Sequence, residues 1–293
     1  MIFRTLFLFV FVMQINSQDI SRLRSLVEDE FRTHKGVFAL SYLNISEPGD
    51  KLSVNGDTIF HAASTMKTPV MVQVMRDVSE GRLSLEDTLL LKNEFKSIVD
   101  GSIYRMDIDE DSGEGLYKFL GQYKTIRELV FEMITVSSNL ATNILIDRID
   151  AKRVMATLSE LDVEGVTVLR GVEDIPAFRA GLNNTVTADG LAALFTQIYI
   201  RKYPDEVLFT EMLSVLKQQK FRDQIPRFLP DNVLVAHKTG SITGVTHDSG
   251  LVFLPDGRVY ALVLLGKNIE NISSAKEMYG RISELVYKHI TAK

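Results

Sequence analysis

The sequence contains no cysteine, and no block of Lys and Arg stands out among its 293 residues. The first absence excludes disulfides, a thiolate nucleophile and a cysteine-based zinc site. The second absence, with a formal net charge of −5, argues against a protein that tracks nucleic-acid phosphates, because such proteins normally present a basic face. The five His residues show no H-E-x-x-H motif and no other metal-ligand spacing. We therefore expect no metal site and no other cofactor.

Long apolar runs are also absent, except near the N-terminus. Residues 6–13 (LFLFVFVM) are apolar, follow the positively charged Arg4 and precede the small residue Ser17. This pattern is typical of a secretory signal peptide that is cleaved before Gln18. No later run is long enough to span a bilayer. We therefore expect residues 1–17 to be a signal peptide and the mature protein to be periplasmic or secreted, with no stable membrane anchor.

The remaining residues predict elements of both kinds. In chain order these are a helix at 19–33, a strand at 36–44, a mainly helical region from 64 to about 220, strands at 232–238, 249–254 and 258–265, and a helix at 273–290. The simplest packing is a sheet built from both chain ends, covered by the terminal helices, with a helical part inserted between. We place the sheet subdomain at 18–61 plus 228–293 and the helical subdomain at 62–227, in one domain.

The stretch FHAASTMKTP, residues 60–69, places Ser64 and Lys67 three residues apart at a predicted helix start. Residues i and i+3 share one face of a helix, so the Lys67 amine can reach the Ser64 hydroxyl. A serine alcohol is a weak nucleophile that needs a nearby base, and a desolvated lysine loses its proton more easily. The pair fits a nucleophile with its base, although a polar helix start explains the same two residues when they stand alone.

A second polar stretch interrupts two apolar helical runs in ITVSSNLATNILI, residues 134–146. Ser137 could pass a proton to a leaving group, and Asn139 could bind a substrate amide. The structural alternative is a loop that caps the following helix.

A third stretch, VAHKTGSITG at 235–244, follows a predicted strand that ends in Lys-Thr-Gly. Lys238 offers a cation for a substrate carboxylate, Gly240 leaves room for a substrate backbone, and Ser241 offers a main-chain N–H to an oxyanion. Strand alternation directs Thr239 away from Lys238 and Gly240 unless the strand end twists. The alternative here is an edge strand that is guarded by a charged residue.

In this order, S-x-x-K, S-x-N and K-T-G resemble the motifs of the penicillin-interacting serine hydrolases, most closely the class A β-lactamases. The resemblance covers essentially the whole mature chain, including the inserted helical region and the terminal helix. It implies a β-lactamase/DD-peptidase-like fold of the α/β (α+β) class. In such a fold an antiparallel sheet is flanked by helices and carries an inserted all-helical subdomain.

The resemblance also implies a role for each motif residue. Ser64 would be the acylated nucleophile, and the N–H groups of Ser64 and Ser241 would form the oxyanion hole. The other implied roles are base or proton partner for Lys67, proton shuttle for Ser137, contact with the substrate amide for Asn139, and recognition of the substrate carboxylate for Lys238 and Thr239.

One part of the family pattern is changed. Class A β-lactamases carry a Glu three residues before a Leu-Asn pair, and this Glu activates the water that releases the acyl group. Here the pair is Leu182-Asn183, and Arg179 takes the place of the Glu. The nearest carboxylates are Glu173 and Asp174. Either Glu173 is the base in a differently built loop, ionised by the nearby Arg170, or deacylation is slow or uses another base. The structural alternative is that Glu173 only pairs with Arg170 and fixes the loop.

A smaller departure is Ser138 in the second motif, where the family usually has Asp. The acidic stretch DIDEDSGEGLYK, at 107–118, lacks the Gly and Glu that a calcium loop needs, so we interpret it as a solvated loop.

The leading hypothesis from the sequence is an exported, monomeric serine hydrolase whose partner is a small β-lactam or peptidoglycan-like molecule rather than nucleic acid. A D-Ala-D-Ala peptidase, an esterase or a slowly deacylating penicillin-binding protein is the alternative enzyme. A non-catalytic receptor that becomes acylated is the alternative outside the enzymes.

Overall fold

The fold is described by a computed structural model that covers residues 19–292, so the predicted signal peptide lies outside the described residues. The helices are α1 (19–32), α2 (Lys67–Ser79), α3 (Ile126–Thr135), α4 (Asn139–Ile149), α5 (Ala151–Glu160), α6 (Ile175–Arg179), α7 (Ala188–Ile200), α8 (Glu206–Lys217) and α9 (Ile272–Thr291). The strands are β1 (Val37–Asn44), β2 (Lys51–Val54), β3 (Phe60–His61), β4 (Thr88–Leu90), β5 (Phe95–Lys96), β6 (Ile103–Tyr104), β7 (Tyr123–Thr125), β8 (Val166–Thr167), β9 (Thr185–Val186), β10 (Leu234–Ile242), β11 (Val245–Phe253) and β12 (Val259–Lys267).

The main sheet joins the two ends of the chain, as predicted. Its strand order is β10-β11-β12-β1-β2, and every neighbouring pair is antiparallel. The central contact pairs β1 with β12 along the full length of β1, from Val37 opposite Lys267 to Asn44 opposite Tyr260. The strand β10 therefore lies at one edge of the sheet.

Two apolar cores cover the two faces of this sheet. Successive side chains of a strand point to opposite faces, and in β1 Leu40 packs into one core while Ala39 packs into the other. The first core is completed by Leu23 of α1 and Met278 of α9, and the second by Phe195 of α7 and by residues of α2, α3, α4, α5 and α8. The predicted antiparallel sheet flanked by helices is thus observed.

Two helices of the inserted region begin at side-chain caps. Thr125 and Glu128 form a capping box at the start of α3, and the Thr187 side chain accepts a hydrogen bond from Gly190 N at the start of α7. Each supplies a partner for backbone N–H groups that have none inside the helix. The two caps fix where the helices of the inserted region begin.

The prediction that a strand ends in Lys-Thr-Gly is wrong. The strand β10 continues to Ile242, and Gly240 and Ser241 pair with His247 and Thr246 of β11. The chain reverses at Thr243 and Gly244, where Gly244 has a φ of +69°, a conformation that glycine adopts without strain. The K-T-G motif therefore lies within the edge strand, with its backbone held by the hairpin.

The division into a sheet subdomain and a helical subdomain stays a prediction. Between residues 19 and 292 we find no helix with the length and apolar character that crossing a membrane requires.

Candidate active site

Ser64 lies in a single 3-10 turn, Ala63–Met66, directly before α2. The preceding residue Ala63 has a φ of +44°, a backbone conformation that costs energy in a residue other than glycine and is common at functional sites. Ser64 is half-buried and lines two adjoining cavities of about 500 Å³ and about 140 Å³. Its hydroxyl oxygen makes no hydrogen bond with the other described residues, so it is available to a ligand in either cavity.

Lys67 begins α2 and is completely buried. Its amine donates hydrogen bonds to Ser137 O (2.6 Å), Asn139 Oδ1 (2.8 Å) and Ser137 Oγ (3.2 Å). Burial lowers the pKa of Lys67 to about 7, even though the carboxylates of Asp111 and Glu173 favour its charged form. The expected hydrogen bond from Lys67 to the Ser64 hydroxyl is not present within residues 19–292, because the amine turns towards the second motif.

Ser137 connects the two lysines of the motifs. Its hydroxyl oxygen lies 3.2 Å from Lys67 Nζ and 2.9 Å from Lys238 Nζ. Its φ of +63° is again a strained value for a residue with a side chain. Ser137 also lines both cavities beside Ser64, so its hydroxyl lies between two amines and the space where a substrate would bind.

Asn139 is the first residue of α4 and uses both ends of its amide. Its Oδ1 accepts the hydrogen bond from Lys67, and its Nδ2 donates one to Glu173 Oε1 at 3.2 Å. A continuous polar chain therefore runs from Lys67 through Asn139 to Glu173.

The residues of the third motif form the wall of the smaller cavity. Thr239, Gly240 and Ser241 line it, and Lys238 lies buried behind them, with its amine bound to Ser137 Oγ and Thr239 O. Burial and the nearby Lys67 lower the pKa of Lys238 well below its ordinary value. Thr239 and Ser241 share one side-chain direction and both line the cavity, whereas the Lys238 side chain contacts Ser137, so the alternation expected from the sequence is present.

A cation that the sequence did not reveal completes the smaller cavity. Lys276 of α9 lines it, and its amine lies 2.9 Å from Asp223 Oδ2. The nearest sequence motif is more than thirty positions away, so no local signal indicated this residue.

Gly240 allows the edge strand to approach the turn that carries Ser64. A Cβ at this position would lie 3.0 Å from Ser64 N and 3.1 Å from Thr65 N. Both nitrogens belong to the 3-10 turn Ala63–Met66, in which Thr65 N already donates to Ala62 O. A backbone N–H such as that of Ser64 can favour a developing negative charge. The missing side chain of Gly240 therefore leaves space for an oxyanion between the edge strand and the turn that carries Ser64.

We expect Gly240→Ala to reduce kcat/KM for a β-lactam by about 100-fold, since the methyl group displaces the strand from the oxyanion site. Gly49→Ala is the matched control, because a Cβ at Gly49 meets no described heavy atom within 4 Å. Steady-state kinetics of both variants test this, with circular dichroism as the check on folding. A kcat/KM of Gly240→Ala within threefold of the wild-type value would contradict the role of Gly240 in leaving space for the oxyanion.

Glu173 lies on the wall of the larger cavity together with Ser64, Ser137 and Asn139. Its Oε2 accepts a hydrogen bond from Asp107 N at 3.0 Å, and its Oε1 accepts the one from Asn139. Burial raises the pKa of Glu173 above its ordinary value, more than these hydrogen bonds lower it. A raised pKa makes the carboxylate a stronger base.

The expected pairing of Glu173 with Arg170 is wrong. The Arg170 guanidinium donates instead to Leu182 O, Gly171 O and Asn183 Oδ1. The guanidinium therefore joins the two ends of the loop and does not stabilise the ionised form of the Glu173 carboxylate. Asp174, the other carboxylate near the expected position, caps α6 and accepts hydrogen bonds from Ser97 Oγ and Ile98 N, so it is structural. Arg179 ends α6 and is exposed.

Asn143 holds the loop residue next to Glu173. It lies on α4 one turn after Asn139, its Oδ1 accepts from Val172 N (2.6 Å), and its Nδ2 donates to Val172 O (2.9 Å). Gly171 is required beside it, because a Cβ there would lie 2.6 Å from Asn143 Oδ1. The two amides on one face of α4 thus orient the segment that presents Glu173 to the cavity.

The structure brings the sequence-predicted site residues together around the two cavities. Lys67 and Lys238 reach them from behind through Ser137. Within the described range, residues 19–292, no group of three His, Asp or Glu side chains is arranged to hold a metal ion.

Comparison with known proteins identifies the family and the fold of the chain. A family model described as "Beta-lactamase enzyme family" matches residues 21–290. A β-lactamase from Bacteroides uniformis is 22% identical over 289 residues, covering 93% of this chain and 93% of that protein.

Solved structures agree with the predicted β-lactamase-like fold. PBP-A is 25% identical with a TM-score of 0.80, covering 94% of this chain and 97% of that one. A representative class A β-lactamase from Bacteroides cellulosilyticus is 20% identical with a TM-score of 0.77, covering 94% and 99%. The predicted resemblance is thus confirmed for the family and for the fold.

Proposed function

Because the chain belongs to the β-lactamase enzyme family, we propose that it is an exported serine hydrolase that opens the β-lactam amide through an acyl-Ser64 intermediate. The observation that carries this proposal is that Ser64 and Ser137 line one cavity while the buried Lys67 amine is bonded to Ser137 behind its wall. Export is proposed from the signal-like residues 1–17, and the mass of the mature N-terminus tests it.

Acylation begins with attack of Ser64 Oγ on the lactam carbonyl carbon. The neutral Lys67 amine is the proton acceptor, directly or through the Ser137 hydroxyl that lies 3.2 Å from it. A pKa of about 7 for Lys67 suits this task at neutral pH, because both its protonation states are then populated. The oxyanion forms beside the Ser64 and Ser241 amides, in the space that Gly240 leaves open.

Ring opening then needs a proton on the departing nitrogen. Ser137 Oγ is the donor, since it lies on the cavity wall and is held by two amines, Lys67 and Lys238. The proton taken from Ser64 is thereby delivered to the leaving group. The acyl-enzyme carries an ester on Ser64 and a free amine on the opened ring.

The smaller cavity suits the carboxylate that β-lactams and peptidoglycan stem peptides carry. Thr239 and Ser241 supply hydroxyl groups, Lys276 supplies a cation on the wall, and Lys238 lies behind them. A bound carboxylate would favour the charged form of Lys238, because an opposite charge raises the pKa of a lysine.

Deacylation transfers the acyl group from Ser64 to water. We propose Glu173 as the base, since it lines the same cavity as Ser64 and its pKa is raised by burial. It removes a proton from the attacking water, and this proton is returned to the Ser64 oxygen as the ester bond breaks, so that Glu173, Lys67 and Ser137 recover their starting protonation states.

The direct test of the proposal is turnover of a chromogenic cephalosporin by the purified mature protein. Hydrolysis over many turnovers is the expected result. The absence of both turnover and a covalent adduct on Ser64 would overturn the proposal.

The pH dependence of acylation tests the role of Lys67 as base. The acylation rate should rise with pH through about 7, because the amine must be neutral to accept the proton and its pKa lies there. Single-turnover rates across this range give the profile. A rise that persists in Glu173→Gln, with its midpoint at lower pH because the Glu173 charge no longer favours the charged amine, excludes titration of Glu173 as the cause. A rate that is flat or falls with pH would contradict this role.

A second candidate is a peptidase or penicillin-binding protein that releases its acyl group slowly. The observation in its favour is that both oxygens of Glu173 already accept hydrogen bonds, from Asp107 N and Asn139 Nδ2, while Arg179 stands where the family pattern has Glu. A penicillin adduct that persists for hours in the wild-type protein would favour this candidate over a β-lactamase.

A further inference from the structure

The acidic segment at residues 107–113 lies against two parts of the site. It was interpreted from the sequence as a solvated loop, and Asp109 and Glu110 are indeed exposed. Asp111 is not, since only 5% of its surface is accessible. A buried carboxylate is costly unless hydrogen bonds compensate it, so its partners reveal what the segment does.

The Asp111 carboxylate binds the start of α4. Its Oδ1 accepts from Asn139 N and its Oδ2 from Leu140 N, both at 2.8 Å. These are two of the N–H groups that have no partner within the helix, and a negative charge is stabilised at this end of a helix. Ser138 Oγ lies 3.4 Å from Oδ2. The carboxylate therefore contacts the residue between Ser137 and Asn139 and the two residues that follow.

Gly113 makes this contact possible. A Cβ on Gly113 would lie 2.3 Å from Ser138 Cβ and 2.7 Å from Ser138 Cα. The segment consequently packs backbone against backbone on the turn that holds the strained Ser137.

The same segment also holds the candidate base for deacylation. Asp107 N donates the hydrogen bond to Glu173 Oε2 at 3.0 Å. The carboxylate that fixes Asn139 thus lies four positions after the N–H group that fixes Glu173, and Asn139 itself bonds to Glu173.

We propose that Asp111 is a positioning residue, and that it supplies from this segment the carboxylate that holds the Ser137-Ser138-Asn139 turn in its reactive geometry. The middle residue of the turn is Ser138, which has no charge to contribute, so the negative charge at the start of α4 comes from another part of the chain. This inference rests on the proposed function, because the geometry it protects is that of acylation.

The charge of Asp111 also acts on the base. The groups that face the Lys67 amine are Asp111 and Glu173, which favour its charged form, and Lys238, which opposes it. Removing the Asp111 charge should therefore lower the pKa of Lys67 further. A purely structural contact would not change the pH at which acylation begins.

The test compares Asp111→Asn with Asp109→Asn, an exposed carboxylate of the same segment. Single-turnover acylation by benzylpenicillin should be about 100-fold slower in Asp111→Asn, because displacement of a reactive group by about 1 Å costs this much. The midpoint of its pH profile should move to lower pH. Asp109→Asn should match the wild type in both rate and midpoint.

A second variant returns the carboxylate to the turn. Adding Ser138→Asp to Asp111→Asn places a good N-cap residue and a negative charge at the start of α4, and we expect it to recover at least about tenfold in acylation rate. This double variant also serves if Asp111→Asn does not fold. Recovery supports the positioning role, whereas a folded double variant that stays as slow as Asp111→Asn overturns it.

Three further outcomes overturn the inference. Equal acylation rates in the wild type and Asp111→Asn would overturn the positioning role alone. Loss of folding in both Asp111 variants would make Asp111 a stabilising residue instead. Absence of any adduct in the wild type and in Asp109→Asn would remove the proposed function and the inference together.

Discussion

Replacing Ser64 by Ala should reduce the hydrolysis of a chromogenic cephalosporin on the order of 10⁵- to 10⁶-fold in kcat, because removal of the nucleophile leaves only binding and oxyanion stabilisation. The covalent adduct should disappear completely. The expectation follows from the place of Ser64, which lies on the wall of both cavities and next to the edge strand that carries Gly240.

The matched control for this variant is Ser79→Ala. Ser79 is exposed at the far end of α2, the helix that follows Ser64, and its hydroxyl donates only to Arg76 O. Its kinetics should equal those of the wild type. Hydrolysis that survives in Ser64→Ala at more than a hundredth of the wild-type rate would mean that another group opens the lactam.

Glu173→Gln should convert the protein from a hydrolase into a trap. Loss of the general base slows deacylation by about 10³-fold, while acylation, which depends on Ser64 and Lys67, should fall by less than about tenfold on the same scale. The acyl-enzyme therefore accumulates to nearly one equivalent per protein. Intact-mass spectrometry after mixing with benzylpenicillin measures this accumulation against time.

Glu110→Gln is the control for Glu173→Gln. Glu110 lines the same cavity, but its carboxylate makes no hydrogen bond with the rest of residues 19–292. Glu110→Gln should alter KM at most, should leave kcat unchanged and should accumulate no adduct. If Glu173→Gln releases its acyl group as fast as the wild type, then Glu173 is not the base, and the slowly deacylating alternative becomes the better description.

The sequence identified motif residues that the fold brings together around two adjoining cavities, because the signals of these motifs are local. Ser64 and Lys67 are three residues apart, and the S-x-N and K-T-G motifs are also short, so each can be recognised from a few adjacent residues. It also predicted the sheet from both chain ends, since β1 and β12 have strong strand patterns. What it could not predict is the direction of a long side chain, and the Lys67 amine turned to Ser137 rather than Ser64.

The surroundings of Glu173 were predicted incorrectly for a related reason. The sequence placed Arg170 only three residues away, and nearness in sequence favoured an ion pair. The partners are Asp107 and Asn139, which lie 66 and 34 residues away, and such contacts exist only once the loop has packed on α4. The loop instead uses Arg170 to bind its own backbone.

Asp111 and Lys276 were missed because neither belongs to a recognisable motif. Asp111 looked like one of several solvated acidic residues, although the turn it binds begins with the predicted Ser137. Lys276 lies in a predicted amphipathic helix, where a polar-face lysine is ordinary. Only the tertiary structure shows that the first is buried and that the second borders a cavity.

In the proposed mechanism, Ser64 is acylated by the β-lactam and the acyl-enzyme is then hydrolysed by water. The most direct test is peptide mapping of wild-type protein quenched with acid at intervals after mixing with benzylpenicillin. We expect a single modified peptide, the one that contains Ser64. Its modified fraction should rise at once and decay as penicilloate is released. Penicilloate release with no modified peptide at any time, or an adduct on a residue other than Ser64, would contradict this mechanism.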